Sequence, residues 1–492
     1  MIERNQSVVI LGGGPGGYEA ALVAAQLGAT VTVVDRDGLG GAAVLTDCVP
    51  SKALISTASF MTRMSQSRDM GVHLEDPTTG QSSDLEADDV AVADLPEVNA
   101  RILRLAVRQS QDIEARLLSE GITVVKGVGR LVAPGKVSVT PVVATAPEHV
   151  TEEDQPGVER DHAEEVLDAD VVLVSVGATP RVLASARPDG ERILTWKQIW
   201  ALPEVPEHLV VVGSGVTGAE LAHAYLALGS KVTLISSRDH VLPGEDPDAA
   251  RVIEDVFRRR GMVVLNRSRA ETVERVGDRV VATLTDGRTV EGSHCIMAVG
   301  SVPATEGLGL AECGVQLTGS GHIEVDRVSR TSVNGIYAAG DCTAALPLAS
   351  VAAMQGRTAM WHALGDAVQP LNLHGVSATI FTDPEIATVG VSAKDIADQE
   401  LDVREIMMPL DTNPRSKMDQ FTDGFVKLYA RKASGLLMGG VVVAPKASEL
   451  IFPVALAVEN RLTVDQVAHT FTVYPSMTGS IAEAARRLHT AE

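Results

Sequence analysis

The sequence predicts an α/β protein built from two Rossmann-type units and a smaller α+β domain at the C-terminus. Three observations carry this. A strand, a G-x-G-x-x-G turn, an amphipathic helix and a second strand follow one another at Ser7–Asp35. The same series recurs at Leu209–Ser236. From about residue 371 the pattern changes: SATIFTDPEIATVGVS, GFVKLYA and LLMGGVVVA alternate as strands, and ELIFPVALAVEN and the C-terminal segment read as helices.

Composition sets the limits. A chain of 492 residues has room for roughly two to four domains. An apolar fraction of 45% and a charged fraction of 22% are those of a soluble globular protein. No run reaches the ~18 uninterrupted apolar residues of a membrane span, and MIERNQS carries no signal-peptide pattern, so a cytoplasmic address is expected. The formal charge of −22 leaves no basic surplus for phosphates, which argues against a nucleic-acid partner. Cys48, Cys295, Cys313 and Cys342 form neither a C-x-x-C pair nor a disulfide framework, and no His/Cys cluster has zinc-like spacing, so no metal is expected. Cys295, Cys313 and Cys342 read as small packed residues.

In the first unit, Gly12 permits the tight turn, Gly14 lets backbone approach a pyrophosphate, and Gly17 lets helix pack on strand. The helix N-terminus offers N–H groups to phosphates. Asp35 closes the second strand, where a carboxylate can hold a ribose hydroxyl. A glycine turn alone is weak evidence; strand, turn, helix and acid in register make a dinucleotide site the expectation. Gly40–Lys52, GGAAVLTDCVPSK, then leads into a helix with Pro50 and Ser51 at its start. Residues 53–115 read as helix-rich, interrupted by a polar loop at His73–Asp89. Strands follow from about 121 to 176, with an acidic insert at 146–165 that reads as a solvated excursion.

The second unit carries Gly213, Gly215 and Gly218. Two such units mean two dinucleotides, which suggests a flavoprotein taking electrons from a nicotinamide. The position of Asp35 is here Ser236, followed by Ser237 and Arg238. A carboxylate repels a 2′-phosphate, whereas hydroxyls and a guanidinium accept one, so NADPH is expected, with NADH possible.

These stretches together resemble the flavoprotein disulfide reductases, the class I pyridine nucleotide-disulfide oxidoreductases. In that family the redox segment runs G-G-T-C-x-x-x-G-C-x-P-S-K; Gly40, Gly41, Cys48, Pro50, Ser51 and Lys52 match, while Ala43 stands for the first cysteine and Asp47 for the glycine. The resemblance implies FAD in the first unit and NAD(P)H in the second. It also implies a pair formed by Lys52 and Glu220 beside the flavin N5. A second FAD signature follows at TSVNGIYAAGDCTA, where Gly340 ends a strand and Asp341 accepts a ribityl hydroxyl, and the C-terminal domain makes a homodimer. Phe381-Thr382-Asp383-Pro384-Glu385 and Gly424-Phe425-Val426-Lys427 mark that last domain. The implied division is an FAD domain at 1–181 and 303–370, an NAD(P)H domain at 182–302, and a dimerisation domain at 371–492.

The family's histidine general base precedes a proline near the C-terminus, with a glutamate five residues on. Here Tyr474 precedes Pro475, and Gly479 takes the glutamate's place. A phenol ordinarily titrates near ~10 and is a poor base at pH 7. Disulfide reduction needs two thiols and a base; Ala43, Tyr474 and Gly479 remove one thiol, the base and its orienting group. The chain therefore looks like the lipoamide-dehydrogenase-like quinone reductases of this superfamily. The expectation is hydride transfer from NAD(P)H through FAD to a quinone or related small acceptor, with Tyr474 of a second copy at the acceptor. A transhydrogenase, a single-cysteine peroxidase or CoA-disulfide reductase, and a non-catalytic FAD-binding subunit stay open as alternatives. Cys48 is either a thiol in contact with the flavin or a packed remnant of the scaffold.

Overall fold

The computed structural model describes residues 6–72, 92–142 and 165–489. The polar loop at 73–89 and all of the acidic insert but Glu165 lie outside them. The chain divides into two units: residues 1–50, 103–179 and 301–371 form one, and residues 51–102, 180–300 and 372–492 the other.

The first unit is organised on a seven-stranded sheet. Its order is Ile336–Ala338, Val171–Val174, Ser7–Leu11, Thr30–Asp35, Thr123–Ala133, Lys136–Pro141 and Glu165–Asp168. The first five strands are parallel and the last two antiparallel. Alternate residues go to opposite faces, and both faces are covered, as a parallel sheet requires. Val8, Ile10, Val31, Val33 and Leu173 join one apolar cluster; Val9, Leu11, Val34, Val172 and Val174 join another. Each such side chain contributes about 1.5–3 kcal/mol by leaving water.

On one face the helices Pro15–Gln26 and Ala349–Ala363 pack backbone to backbone. A Cβ on Gly356 would stand 2.0 Å from the carbonyl oxygen of Gly16, so no other residue fits there without a shift. Cys342 lies in the same unit, its thiol buried and donating to the carbonyls of Val174 and Ala339; burial pushes it up to about 12. It is a packed residue, as Cys295 is in the second unit.

In the second unit a five-stranded parallel sheet runs Val263–Leu265, Lys231–Ile235, His208–Val212, His294–Met297, Ile193–Leu194. An antiparallel meander, Ala270–Val276, Arg279–Leu284 and Thr289–Gly292, packs Val273, Val280, Ala282 and Leu284 onto it. The sequence reading did not include this meander, although Gly277-Asp278 and Asp286-Gly287 mark its turns. The C-terminal residues form a five-stranded antiparallel sheet ordered Ala378–Ile380, Glu385–Gly390, Leu437–Ala444, Phe425–Arg431, Val403–Pro409. The helices Phe452–Glu459 and Thr478–Leu488 join its core.

A buried ion network ties this last sheet to the start of the helix Pro247–Arg259. Lys427 Nζ lies 2.9 Å from both Asp246 oxygens and 2.5 Å from Asp248 Oδ2. Tyr429 donates its hydroxyl to Asp246 at 3.1 Å. Asp246 at the same time caps the helix Pro247–Arg259 through the amides of Asp248 and Ala249. A lysine this deeply buried stays charged only because both carboxylates meet it. Among the described residues no helix is long and apolar enough to cross a membrane.

Candidate active site

The two glycine turns are built alike. Gly12 has φ +95°, and a Cβ there would meet the Ser175 carbonyl oxygen at 2.5 Å; Gly213 has φ +109° and would meet that of Ala298 at 2.2 Å. A Cβ on Gly17 would stand 1.9 Å from the Gly12 oxygen, and one on Gly218 1.9 Å from the Gly213 oxygen. Gly14 and Gly215 face open space, the side on which a pyrophosphate can approach. Each caps the following helix with no side-chain bond and no acidic residue in its first turn. The amides at both ends remain available to an anion.

The ends of the second strands differ. Asp35 Oδ2 accepts the Gly13 amide at 2.6 Å, and Oδ1 accepts those of Asp37 and Gly38 at 2.8 and 2.6 Å. Burial raises its pKa, and the three N–H groups oppose that rise. Asp35 thus organises the loop as well as offering its remaining lone pairs. At the equivalent place in the second unit, Ser236 is fully buried and its hydroxyl lies 2.7 Å from that of Ser214, the counterpart of Gly13. Ser236 also accepts the Arg238 amide at 3.2 Å. Its hydroxyl is spent inside the protein, so of the three residues read as phosphate-tolerant, Ser237 and Arg238 are the exposed ones. Ser214 was not singled out from the sequence; the signal lay between the first two glycines of the turn.

Gly40 donates its amide to the Gly13 carbonyl at 2.8 Å, and a Cβ on Gly41 would stand 2.9 Å from Gly14 Cα. The start of the redox segment is therefore docked on the first glycine turn. A short helix, Gly41–Leu45, holds Ala43, and Cys48 is the first residue of the long helix Cys48–Ser65. None of the four cysteines is in a disulfide.

Lys52 lies on this long helix, and the second unit brings it to Glu220. Lys52 Nζ is 2.9 Å from Glu220 Oε2, with side-chain exposures of 29% and 3%. Glu220 Oε1 accepts the Phe381 amide at 2.9 Å, and Lys52 Nζ lies 5.1 Å from the centre of the Phe381 ring. The glutamate is thus held from two sides, and it holds the ammonium on one. Phe381 was read as a domain marker; its amide contact could not be read from spacing.

Gly340 has φ +82° and donates its amide to the buried Gln355 side chain at 2.8 Å. Asp341 follows, its pKa raised by burial with only His322 opposing. A carboxylate so placed accepts a hydroxyl donor favourably. The helix Ala349–Ala363 also starts without a side-chain cap. The first unit, with Gly14 open, Asp35 at the strand end, Asp341 under-compensated and two uncapped helix ends, fits an FAD.

Tyr474 is 81% exposed, in a run where Phe471 and Val473 are exposed too. Gly479 is the second residue of the helix Thr478–Leu488; a Cβ there meets nothing closer than Ser476 Oγ at 3.8 Å. Among the described residues no group of His, Cys, Asp and Glu could hold a metal ion.

Comparison with known proteins agrees with this geometry. The family model for pyridine nucleotide-disulphide oxidoreductases matches residues 6–356, and that for the family's dimerisation domain matches 376–485. The chain is 53% identical over 486 residues to an "NAD(P)H dehydrogenase (quinone)" of Mycobacterium tuberculosis (strain CDC 1551 / Oshkosh), covering 98% of this chain and 93% of the relative. It is 31% identical over 480 residues to a dihydrolipoyl dehydrogenase of Geobacillus stearothermophilus, covering 97% and 95%. A crystal structure of LpdA from M. tuberculosis, 51% identical, superposes with a TM-score of 0.88 over 99% of this chain and 100% of that one. The flavoprotein disulfide reductase RclA from Escherichia coli, 19% identical with a TM-score of 0.82 over 98% and 100%, shares the fold. The chain belongs to the pyridine nucleotide-disulphide oxidoreductase family.

Proposed function

We propose that the protein is an FAD-dependent NAD(P)H:quinone oxidoreductase that passes hydride from NADPH, or NADH, through FAD to a quinone or related small acceptor, without reducing disulfides. The observation that carries the reading is the Lys52–Glu220 bridge, kept in place in a chain whose redox segment has Ala43 where the first cysteine would stand and Cys48 as its one thiol. A relative 53% identical over nearly the full length is named for the same activity.

FAD, when bound, supplies the hydride-accepting ring and delivers the electrons onward. The chain's own residues bind and orient. Gly12, Gly14 and Gly17 take the FAD pyrophosphate, Asp35 the ribose, and Gly340–Asp341 the ribityl chain. Gly213, Gly215 and Gly218 take the nicotinamide dinucleotide, and Ser237 and Arg238 meet a 2′-phosphate while Ser236 braces the loop. Lys52, held by Glu220, fixes a positive charge for the negative charge that arrives with the hydride. Tyr474 of a second copy offers a hydroxyl to the acceptor oxygen, and Cys48 either meets the flavin as a thiol or packs as a remnant of the scaffold. These roles follow the domain division 1–181, 182–302, 303–370 and 371–492, and the address is cytoplasmic.

Anaerobic stopped-flow tests the reading. NADPH should bleach the flavin at least as efficiently as NADH, and quinones should reoxidise it while lipoamide and glutathione disulfide do not. A kcat/KM tenfold higher for NADH, about 1.4 kcal/mol, would sink the argument from Ser237 and Arg238. Reoxidation by a disulfide but not by quinone would sink the function.

Assembly is a second test. Phe471, Val473 and Tyr474 are exposed in the single chain, and Phe452 and Leu456 are exposed on one face of a helix in the same domain. A second copy covers such a surface. Light scattering should give a homodimer of twice the 51.7 kDa chain. A fully active monomer would exclude a role for the second copy's Tyr474.

A further inference from the structure

Glu220 does not stand on the Lys52 bond alone. Its second oxygen depends on the Phe381 amide, so the carboxylate is no better placed than the loop that carries Phe381. That loop is tied two residues on: Asp383 Oδ2 accepts from Arg260 Nη2 at 2.8 Å, with side-chain exposures of 26% and 28%. Between them, the buried Thr382 closes the loop on itself by donating its hydroxyl to the Pro384 carbonyl at 2.8 Å. Arg260 sits at the end of the helix Pro247–Arg259. One turn after Glu220 on its own helix, His223 stacks on Phe257 of that helix, with ring centres 6.1 Å apart and planes 4° apart.

Two helices and one loop therefore form a closed circuit around Glu220. His223 is fully buried, and burial holds its pKa well below the usual value, so it is neutral at physiological pH. The cation that meets Asp383 in this circuit is then Arg260. A neutral residue at 260 would leave Asp383 partly buried without that partner.

We infer that Arg260 and Asp383 are positioning residues for hydride transfer: their ion pair fixes the Phe381 loop, which fixes Glu220 and through it Lys52. The inference rests on the proposed role of Lys52 and Glu220 at the flavin. Neither residue touches substrate or cofactor in this scheme; they set where the Lys52 ammonium stands.

The test is anaerobic flavin reduction by NADPH in the purified holoenzyme, comparing Arg260→Met, Asp383→Asn, their combination, Arg260→Lys and Lys52→Met. The expected result for Arg260→Met and Asp383→Asn is a limiting rate about tenfold lower, with the half-saturating NADPH concentration within about twofold and FAD content unchanged. The combination should be no slower than the slower single variant, since both break one link. Arg260→Lys should recover most of the rate. A merely structural role predicts instead that any loss tracks loss of FAD and that lysine does not rescue it; that outcome overturns the inference. Should Arg260→Met not fold, the near-isosteric Asp383→Asn decides. If Lys52→Met slows reduction while the Arg260 and Asp383 variants stay within twofold of the parent, this inference alone fails. If Lys52→Met is also unchanged, the reading of the Lys52–Glu220 pair fails and takes the inference with it.

Discussion

Lys52→Met should slow reduction of the flavin by NADPH at least about 100-fold, some 2.7 kcal/mol of transition-state stabilisation, with FAD still bound. Hydride brings negative charge to a site that is in part shielded from water, and a cation already in place stabilises that charge without reorganisation. The structure holds such a cation in two ways: the 2.9 Å bond to Glu220, a carboxylate only 3% exposed that is itself fixed by a backbone amide, and the Phe381 ring 5.1 Å away. Methionine keeps the length and apolar stem of lysine but not the charge. It also strands the Glu220 carboxylate, a cost of about 3–5 kcal/mol for a buried pair, so a loss of stability could pass for a loss of catalysis. Lys52→Met combined with Glu220→Gln removes that cost. If the charge is what matters, the double variant refolds its stability but stays slow. A single variant that bleaches within threefold of the parent would end the case for Lys52.

The residues of this pair were legible in the sequence, and so were the glycine turns. A glycine at φ +95° that would otherwise drive a Cβ into a carbonyl 2.5 Å away is the residue the turn demands, and the G-x-G-x-x-G spacing displays it. The anchors of the pair were not legible. Phe381 lies 161 residues from Glu220, and Arg260 lies 123 from Asp383; nothing local in either stretch says that it meets the other. Ser236 illustrates a different limit. Its type is compatible with a phosphate, yet its hydroxyl pairs with that of Ser214 inside the protein. Residue type suggests what a side chain can do, while direction is set by its neighbour across the turn. Strand Val403–Pro409, sequence VREIMMP, was missed because its apolar residues do not alternate cleanly with its charges. It exists because Phe425–Arg431 pairs with it along its length, a tertiary choice that overrides local pattern.

Disulfide reduction should appear only when three substitutions are made together. The parent and the variants Ala43→Cys, Tyr474→His and Gly479→Glu should each reduce lipoamide at background, and the triple variant should rise at least about tenfold above it. The reason is that the three groups act in one sequence. Cys48 can attack a disulfide, but without a second thiol the mixed disulfide has no internal route to release. Ala43→Cys supplies that thiol and no base. Tyr474→His supplies a base whose ring nothing orients, and Gly479→Glu supplies an orienting carboxylate with nothing to orient. Room for the last change exists, since a Cβ at Gly479 meets only ordinary contacts at 3.8 Å or more. Adding Cys48→Ser to the triple variant should abolish the new activity. In the parent, Cys48→Ser should leave quinone reduction within severalfold, because electrons leave without passing through sulfur. A loss of about 100-fold there, again near 2.7 kcal/mol, would make Cys48 a participant in turnover, and lipoamide reduction by the parent itself would return the chain to the disulfide reductases.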